Sequence, residues 1–276
     1  MYTPADISIE EQIDSLFDLI RQSRHCVALT GAGVSTLSGI RDFRGKNGLY
    51  KERDAEKIFD IDYFVKDPSL YYNAARSFIY NLNEREASVV HTCLGALENR
   101  GFLKAIITQN IDLLHQKGGS RRVIEIHGSP SIHYCRSCSD LPKVEALAAA
   151  KQKAPLSGKD LLGFDEAAAL VKTGKLPRCG RCGAVLKPAI TFFGEALPAR
   201  ALDDAEGEAK KADLMLILGT SLTVFPAAGI PEISIQSGGR IVIINDMATP
   251  LDRYAVLRFE DLGTVFEGIR ARLDRL

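Results

Sequence analysis

Apolar residues near the start of the chain fall at Ile9, Ile13, Leu16, Phe17, Leu19 and Ile20. That spacing follows the helical period and predicts an amphipathic helix over residues 8–23. The pattern then changes. Cys26-Val27-Ala28-Leu29 is a short continuous apolar run. Similar runs follow at 105–108, 123–126, 214–218 and 241–244. Runs without polar alternation suit strands covered by helices on both faces. Residues 263–276 return to helical spacing, with Val265, Phe266, Ile269 and Leu273 on one face. The chain therefore predicts an α/β fold, a doubly wound parallel sheet of Rossmann-like type.

Two stretches interrupt this pattern. Residues 130–190 show little strand character and contain two C-x2-C pairs. They also contain two Ala/Lys-rich pieces, VEALAAAKQK and FDEAAALVKTGK, which are expected to be helices. We read 130–190 as a small zinc-binding module inserted into a large domain built from 1–129 and 191–276. Residues 45–90 carry Tyr50, Phe59, Tyr63, Phe64, Tyr71, Tyr72, Phe78 and Tyr80. This segment is expected to be helical and to lie by the cofactor and acyl pocket, its aromatics forming a core rather than a ligand face.

Composition narrows the functional classes. Lys+Arg and Asp+Glu both total 35, so the formal net charge is zero. Nucleic-acid binding then has no electrostatic basis. Arg121-Arg122 and Lys210-Lys211 read as solvated pairs. No apolar run reaches the roughly 18 residues of a membrane span. The first residues lack a basic stretch followed by an apolar core. A soluble, cytoplasmic protein is expected.

Cys135, Cys138, Cys179 and Cys182 form two knuckles that can place four thiolates around one zinc ion. The long separation between the pairs costs little, because loop-closure entropy grows slowly. Four protein ligands leave no open position, so the zinc is expected to be structural. Cys26 and Cys93 lack partner spacing and are expected in the core.

Gly31-Ala32-Gly33-Val34-Ser35 follows the first strand. Glycines there allow close approach to a pyrophosphate, and amides opening the next helix attract anions. Taken alone, the run is equally an ordinary tight turn. His127 follows a predicted strand, where an imidazole can serve as a base or simply fill a structural position. Asp112 can likewise be a ligand or a helix cap.

The wider run GAGVSTLSGIRDFRG, residues 31–45, resembles the signature of the sirtuins. The resemblance continues in order through TQNID (108–112), HG (127–128), the paired C-x2-C, FFGE (192–195), GTSL (219–222) and IN (244–245). It covers roughly residues 10–270. It implies an NAD-dependent protein-lysine deacylase, most simply a deacetylase, that transfers the acyl group to ADP-ribose and releases nicotinamide. NAD is then a co-substrate, zinc a structural ion, and acyl-lysine proteins or peptides the partners.

Residue by residue, the resemblance implies His127 as the general base, with Asn110 as the second catalytic residue. Gly31, Ala32, Gly33, Ser35, Asp42, Phe43 and Arg44 would contact NAD. So would Gln109, Asn110, Ile111, Asp112, Gly219, Thr220, Ser221, Asn245, Asp246 and Leu262. Thr191, Phe192, Phe193, Gly194, Glu195 and Val224 would bind the peptide by strand addition, with Phe192 beside the acyl-lysine. His25, His91, His115 and His133 are read as structural.

Two departures stand out. Arg41 replaces the family's usual proline in the cofactor loop. In the aromatic segment, members that prefer acidic acyl groups resemble one another in a Tyr-x-x-Arg pair. If Tyr72 is that tyrosine, the arginine position holds Ala75, and Arg76 is one residue late, about 100° round a helix. Neutral acyl groups are therefore expected. Two other activities fit the same fold: protein mono-ADP-ribosyl transfer and non-catalytic NAD sensing.

Overall fold

The computed structural model describes residues 7–42, 48, 55–141, 144 and 158–276. The first predicted helix is α1 (Ile9–Gln22). Ser8 starts it by accepting from the Glu11 amide, while the Glu11 carboxylate accepts from the Ser8 amide. This reciprocal cap satisfies two donors that a helix start otherwise leaves open.

The predicted strands form one sheet: β1 (Cys26–Thr30), β2 (Leu103–Thr108), β3 (Val123–Glu125), β7 (Leu214–Leu218) and β8 (Arg240–Ile244). β9 (Ala255–Phe259) joins its edge and was not expected from the sequence. Arg258 interrupts its short apolar run, and all but its last residue are only half-buried. The order is β3-β2-β1-β7-β8-β9, and every pairing is parallel.

The strands are continuously apolar because both faces are covered. Cys26 and Ala28 join a core with α1, α4 (Val89–Asn99) and α9 (Leu262–Leu273). Val27 and Leu29 face the opposite core, with α7 (Ala199–Lys211) and α8 (Ile230–Gln236). After β1 the chain builds outward to β3, then returns to add β7 on the other side. The crevice at the carboxyl ends of β1 and β7 is therefore the switch point where α/β folds bind ligands.

Residues 130–190 correct the expectation of little strand character. β4 (Gly128–Tyr134), β5 (Leu161–Gly163) and β6 (Lys187–Ile190) form a three-stranded antiparallel sheet in the order β5-β4-β6. β4 reads Gly-Ser-Pro-Ser-Ile-His-Tyr. Gly, Ser and Pro conceal a strand from propensity, and tertiary pairing overrides them. The second Ala/Lys-rich piece forms α6 (Phe164–Lys172). The first lies mostly outside the described residues, with Val144 in helical conformation.

The described part of the aromatic segment is helical, with α2 (Ile61–Lys66), α3 (Pro68–Ala75) and 3-10 turns at Ala55–Phe59 and Ile79–Glu84. Phe59, Phe64, Tyr71, Tyr72 and Tyr80 pack into a third core with Phe164 and Phe192. Tyr50 lies outside the described residues. Tyr72 donates its hydroxyl to the Leu186 carbonyl at 2.6 Å. Tyr80 bonds His133 Nε2 at 2.7 Å. This core fastens the aromatic segment onto the small sheet.

Burial holds His133 neutral and pushes its pKa down to about 3, with nearby Lys187 acting in the same direction. The unfolded chain binds that proton near pH 6.5, so the unfolded state carries more protons between the two values. Stability is then lost as pH falls through this window, by up to about 1.4 kcal/mol per pH unit. Thermal midpoints measured from pH 7 to 4 are expected to fall, and His133→Phe is expected to flatten that fall.

Candidate active site

A cavity of about 670 Å³ opens at the switch point. Pockets of about 300–1,000 Å³ typically hold small ligands and cofactors. Its floor comes from loops that follow four parallel strands: 31–33 after β1, 109–111 after β2, 219–221 after β7 and 245–247 after β8. His127 and residues 190–197 form another wall, and residues 223–226 also line it.

The two glycine loops interlock. Gly31 donates its amide to Leu218 O at 2.9 Å, and Gly33 donates to Gly219 O at 2.9 Å. A Cβ on Gly33 would lie 2.7 Å from Gly219 Cα, and one on Gly31 would lie 2.7 Å from Gly219 O. The side chains are absent because two backbones touch, a close approach that only glycine allows. The Gly31 and Gly33 amides are thus bonded to the end of β7 and the loop that follows it. The following turn, Ala32–Ser38, is 3-10 rather than α-helical.

Behind this floor lies a buried polar layer. Asn110 donates its amide hydrogens to Gly31 O at 3.0 Å and Ser35 Oγ at 3.1 Å. Ser35 Oγ donates to Asp112 Oδ2 at 2.5 Å. Asp112 Oδ1 accepts from the Leu114 amide at 2.9 Å, just before α5 (Leu114–Lys117). Gln109 Nε2 donates to Thr220 Oγ1 at 2.9 Å, joining the β2 and β7 loops. Thr30, Thr108 and His115 extend the layer, with Thr30 Oγ1 within 2.8 Å of Thr108 Oγ1 and 2.9 Å of His115 Nε2.

His127 lies where the chain leaves the large sheet for the small one. Its Nδ1 is 2.8 Å from the carbonyl oxygen of Gln109. A carbonyl can only accept, so Nδ1 carries a proton, and in the neutral form of the ring the basic lone pair is on Nε2. The His127 carbonyl accepts from the Thr191 amide at 2.8 Å. The next residue, Gly128, has φ of +73°, and a Cβ there would meet Ala189 O at 2.2 Å. Glycine thus lets the base and the 191–195 segment lie side by side.

That segment is held from two directions. Phe193 donates its amide to Phe59 O at 2.7 Å, and its carbonyl accepts from the Ile61 amide at 3.1 Å. Glu195 Oε2 accepts from the Phe192 amide at 2.9 Å and pairs with Lys187 Nζ at 2.8 Å. Phe192 is 1% exposed and belongs to the aromatic core, whereas Phe193 is 41% exposed. Phe193, rather than Phe192, offers the accessible ring, and its main chain is already paired.

Most of the residues singled out from sequence line this one cavity. They include Gly31, Ala32, Gly33, Asp42, Gln109, Asn110, Ile111 and His127, together with Thr191–Glu195, Gly219–Ser221, Val224, Asn245 and Asp246. Ser35 and Asp112 lie in the polar layer behind it instead. Leu262 opens α9 and packs against the core. Phe43 and Arg44 lie outside the described residues. Phe59, Leu197, Leu202 and Met247 line the cavity without having been singled out. Phe59 lies in the aromatic run and Met247 two residues past Asn245, but nothing in their local patterns separates a wall residue from a core residue.

The four cysteine sulfurs lie within 4.8 Å of one another, with Cys135 Sγ and Cys182 Sγ 3.5 Å apart. A tetrahedral zinc with Zn–S of about 2.3 Å needs sulfurs about 3.8 Å apart, so the donor set fits the ion. Each knuckle is shaped by main-chain bonds: the Ser139 amide to Cys135 O at 2.9 Å, and the Gly183 amide to Cys179 O at 2.9 Å.

The Sir2 family pattern matches residues 31–226. The NAD-dependent protein deacetylase of Thermotoga maritima is 40% identical, the match covering 90% of this chain and 92% of that one. The NAD-dependent protein deacylase of Pyrococcus furiosus is also 40% identical, over 82% and 84%. A solved structure of Sir2Tm bound to a propionylated peptide aligns with a TM-score of 0.78 at 35% identity, covering 95% and 98%. A structure described as the basis for the mechanism and regulation of Sir2 enzymes aligns with a TM-score of 0.83 at 33% identity, covering 97% and 99%.

Elemental analysis is expected to find one zinc per chain. Chelation, or Cys179→Ala, is expected to lower the thermal midpoint and abolish turnover together, because the small sheet carries one end of the cavity wall. A stable, active protein after zinc removal contradicts a structural role for the ion.

Proposed function

This chain belongs to the Sir2 family, and from that premise we propose that it is an NAD-dependent protein-lysine deacylase that converts acyl-lysine, NAD and water to free lysine, nicotinamide and acyl-ADP-ribose. The supporting observation is the tautomer of His127. Gln109 O accepts from Nδ1, so in the neutral ring the basic nitrogen is Nε2, on a residue lining the cavity between the glycine loops and the 191–195 wall.

NAD supplies a ribose carbon bearing a good leaving group, nicotinamide, whose departure drives the transfer. The protein's residues do the rest. The loops after β1, β2, β7 and β8 would hold the dinucleotide, Asn245 and Asp246 among the residues contacting it. The polar layer of Asn110, Ser35 and Asp112 fixes the floor beneath the nicotinamide ribose. His127 Nε2 takes a proton from a ribose hydroxyl, general-base chemistry suited to a neutral imidazole. The acyl-peptide lies between the 191–195 wall and Val224, with Phe193 at the accessible face. The four cysteines would hold a structural zinc, and none of them lines the cavity.

Neutral acyl groups, acetyl foremost, are the substrates supported by the aromatic segment. Tyr72 and Ala75 are buried in the third core. Arg76 ends α3, donating to Asn73 Oδ1 at 3.1 Å, and one of its terminal nitrogens lies close to Gly174 beyond α6. None of the three lines the cavity, so they offer no cation to an acidic acyl chain.

We also read the chain as two units, 1–129 with 191–276 and 130–190, supported by strand ends at Gly128 and Ile190. A cytoplasmic setting is supported by the four thiols gathered as metal ligands, which reducing conditions preserve. No helix among the described residues is long and apolar enough to cross a membrane.

Peptides carrying acetyl, propionyl or succinyl lysine, incubated with NAD, test the proposal by nicotinamide release and product mass. Acetyl and propionyl peptides are expected to turn over and the succinyl peptide to lag. Label from NAD retained on protein, with no acyl-ADP-ribose, would establish ADP-ribosyl transfer instead. His127→Ala is expected to lower turnover about 10²–10⁴-fold, with zinc content and circular dichroism unchanged. Full activity in that variant rules out the base assignment.

A further inference from the structure

Lys187 is a cation with no role in the reaction as described, yet it is 1% exposed. Its ammonium is fully engaged. Nζ donates to Ile190 O at 2.6 Å and Pro188 O at 3.2 Å, and pairs with Glu195 Oε2 at 2.8 Å. It also lies 4.2 Å from the centre of the Phe192 ring, within cation–π range. The Tyr134 ring of β4 lies farther off, 5.9 Å from Nζ; every nearer partner belongs to β6 or to the turn that follows it. Burial pulls the ammonium's pKa down to about 8, against the raising effect of Glu195. A charge placed so expensively calls for a specific use.

We propose that Lys187 is a positioning residue for the acyl-peptide, its ammonium tying the Glu195 carboxylate and the Ile190 carbonyl together so that residues 191–195 keep their shape at the cavity wall. This rests on the deacylase reading for the identity of the peptide. Glu195 then acts inward. Its carboxylate accepts from the Phe192 amide and the Lys187 ammonium, and it shapes the wall rather than contacting the peptide's charges. Ile190 pairs with Gly128, and the next amide, Thr191, bonds the His127 carbonyl. The same ammonium therefore sets the wall at a fixed height beside the base. The glycine loops that hold the dinucleotide lie on β1 and β7 and share no bond with Lys187. The effect should fall on the peptide and spare NAD.

The test uses the full-length, zinc-loaded protein as wild type, Lys187→Met, Lys187→Arg and Glu195→Gln. Kinetics are measured with acetyl-lysine peptide and NAD varied separately, and binding of a labelled acetyl-lysine peptide is followed by anisotropy. Lys187→Met is expected to raise peptide KM and Kd roughly tenfold, with KM for NAD within about twofold of wild type. Lys187→Arg is expected to recover most of the loss. Glu195→Gln, at a partly exposed position, should shift peptide KM in the same direction while remaining folded. A folded Lys187→Met protein with wild-type peptide KM and Kd overturns the proposal. So does an equal rise in both KM values, the signature of a merely structural role. If Lys187→Met does not fold, an unchanged peptide Kd in Glu195→Gln overturns it. Wild type that binds the peptide but releases no nicotinamide sinks the deacylase reading, while the anisotropy series still decides the role of Lys187.

Discussion

The site depends on one residue being held at both ends. His127 donates through its ring to Gln109 on the large sheet and accepts through its main chain from Thr191 on the return from the small one. The first bond chooses the tautomer, and the second sets the distance between base and wall. Every other part of the cavity is arranged around that fixed ring. The imidazole is oriented by a main-chain oxygen, an acceptor that does not titrate.

The dinucleotide side is equally preorganised, by a different means. Gly31, Gly33 and Gly219 let two loops touch, and a buried layer of short hydrogen bonds sits beneath them. The bonds joining Asn110, Ser35 and Asp112 are rigid in a low-dielectric interior, since breaking one strands its partner. The floor therefore needs no ligand to define it. Lys187 does for the peptide wall what this layer does for the floor, with an ammonium at its centre.

Much of this was legible in the chain. Continuous apolar runs gave five of the six large-sheet strands because burial on both faces removes polar alternation. β9 was hidden because Arg258 breaks its short apolar run and all but its last residue are only half-buried. The small sheet was hidden because Gly, Ser and Pro in β4 have poor strand propensity and only pairing with β5 and β6 holds them extended. Motif spacing gathered the cavity's residues well, since each motif ends a strand and all the strand ends converge. Spacing did not separate lining from backing. Ser35 and Asp112 lie in the polar layer behind the lining, and of the two lining phenylalanines Phe192 is buried and Phe193 exposed, because which side of a loop a residue faces is decided by long-range packing. The glycine loop was found for an incomplete reason, since the contact that excludes side chains lies nearly two hundred residues away in the chain.

The pairing of Gly128 with Ile190 has a further consequence, for the order of assembly. The large sheet must bring β7 beside β1 across most of the chain, a long loop whose closure is entropically slow. Once β4 and β6 have paired, the whole excursion between them is short-circuited, because its two ends are already neighbours. The effective loop between β3 and β7 then shrinks to the few residues outside that pairing plus α7. The small module thus shortens the search its host sheet must make, and its length can vary without lengthening that search.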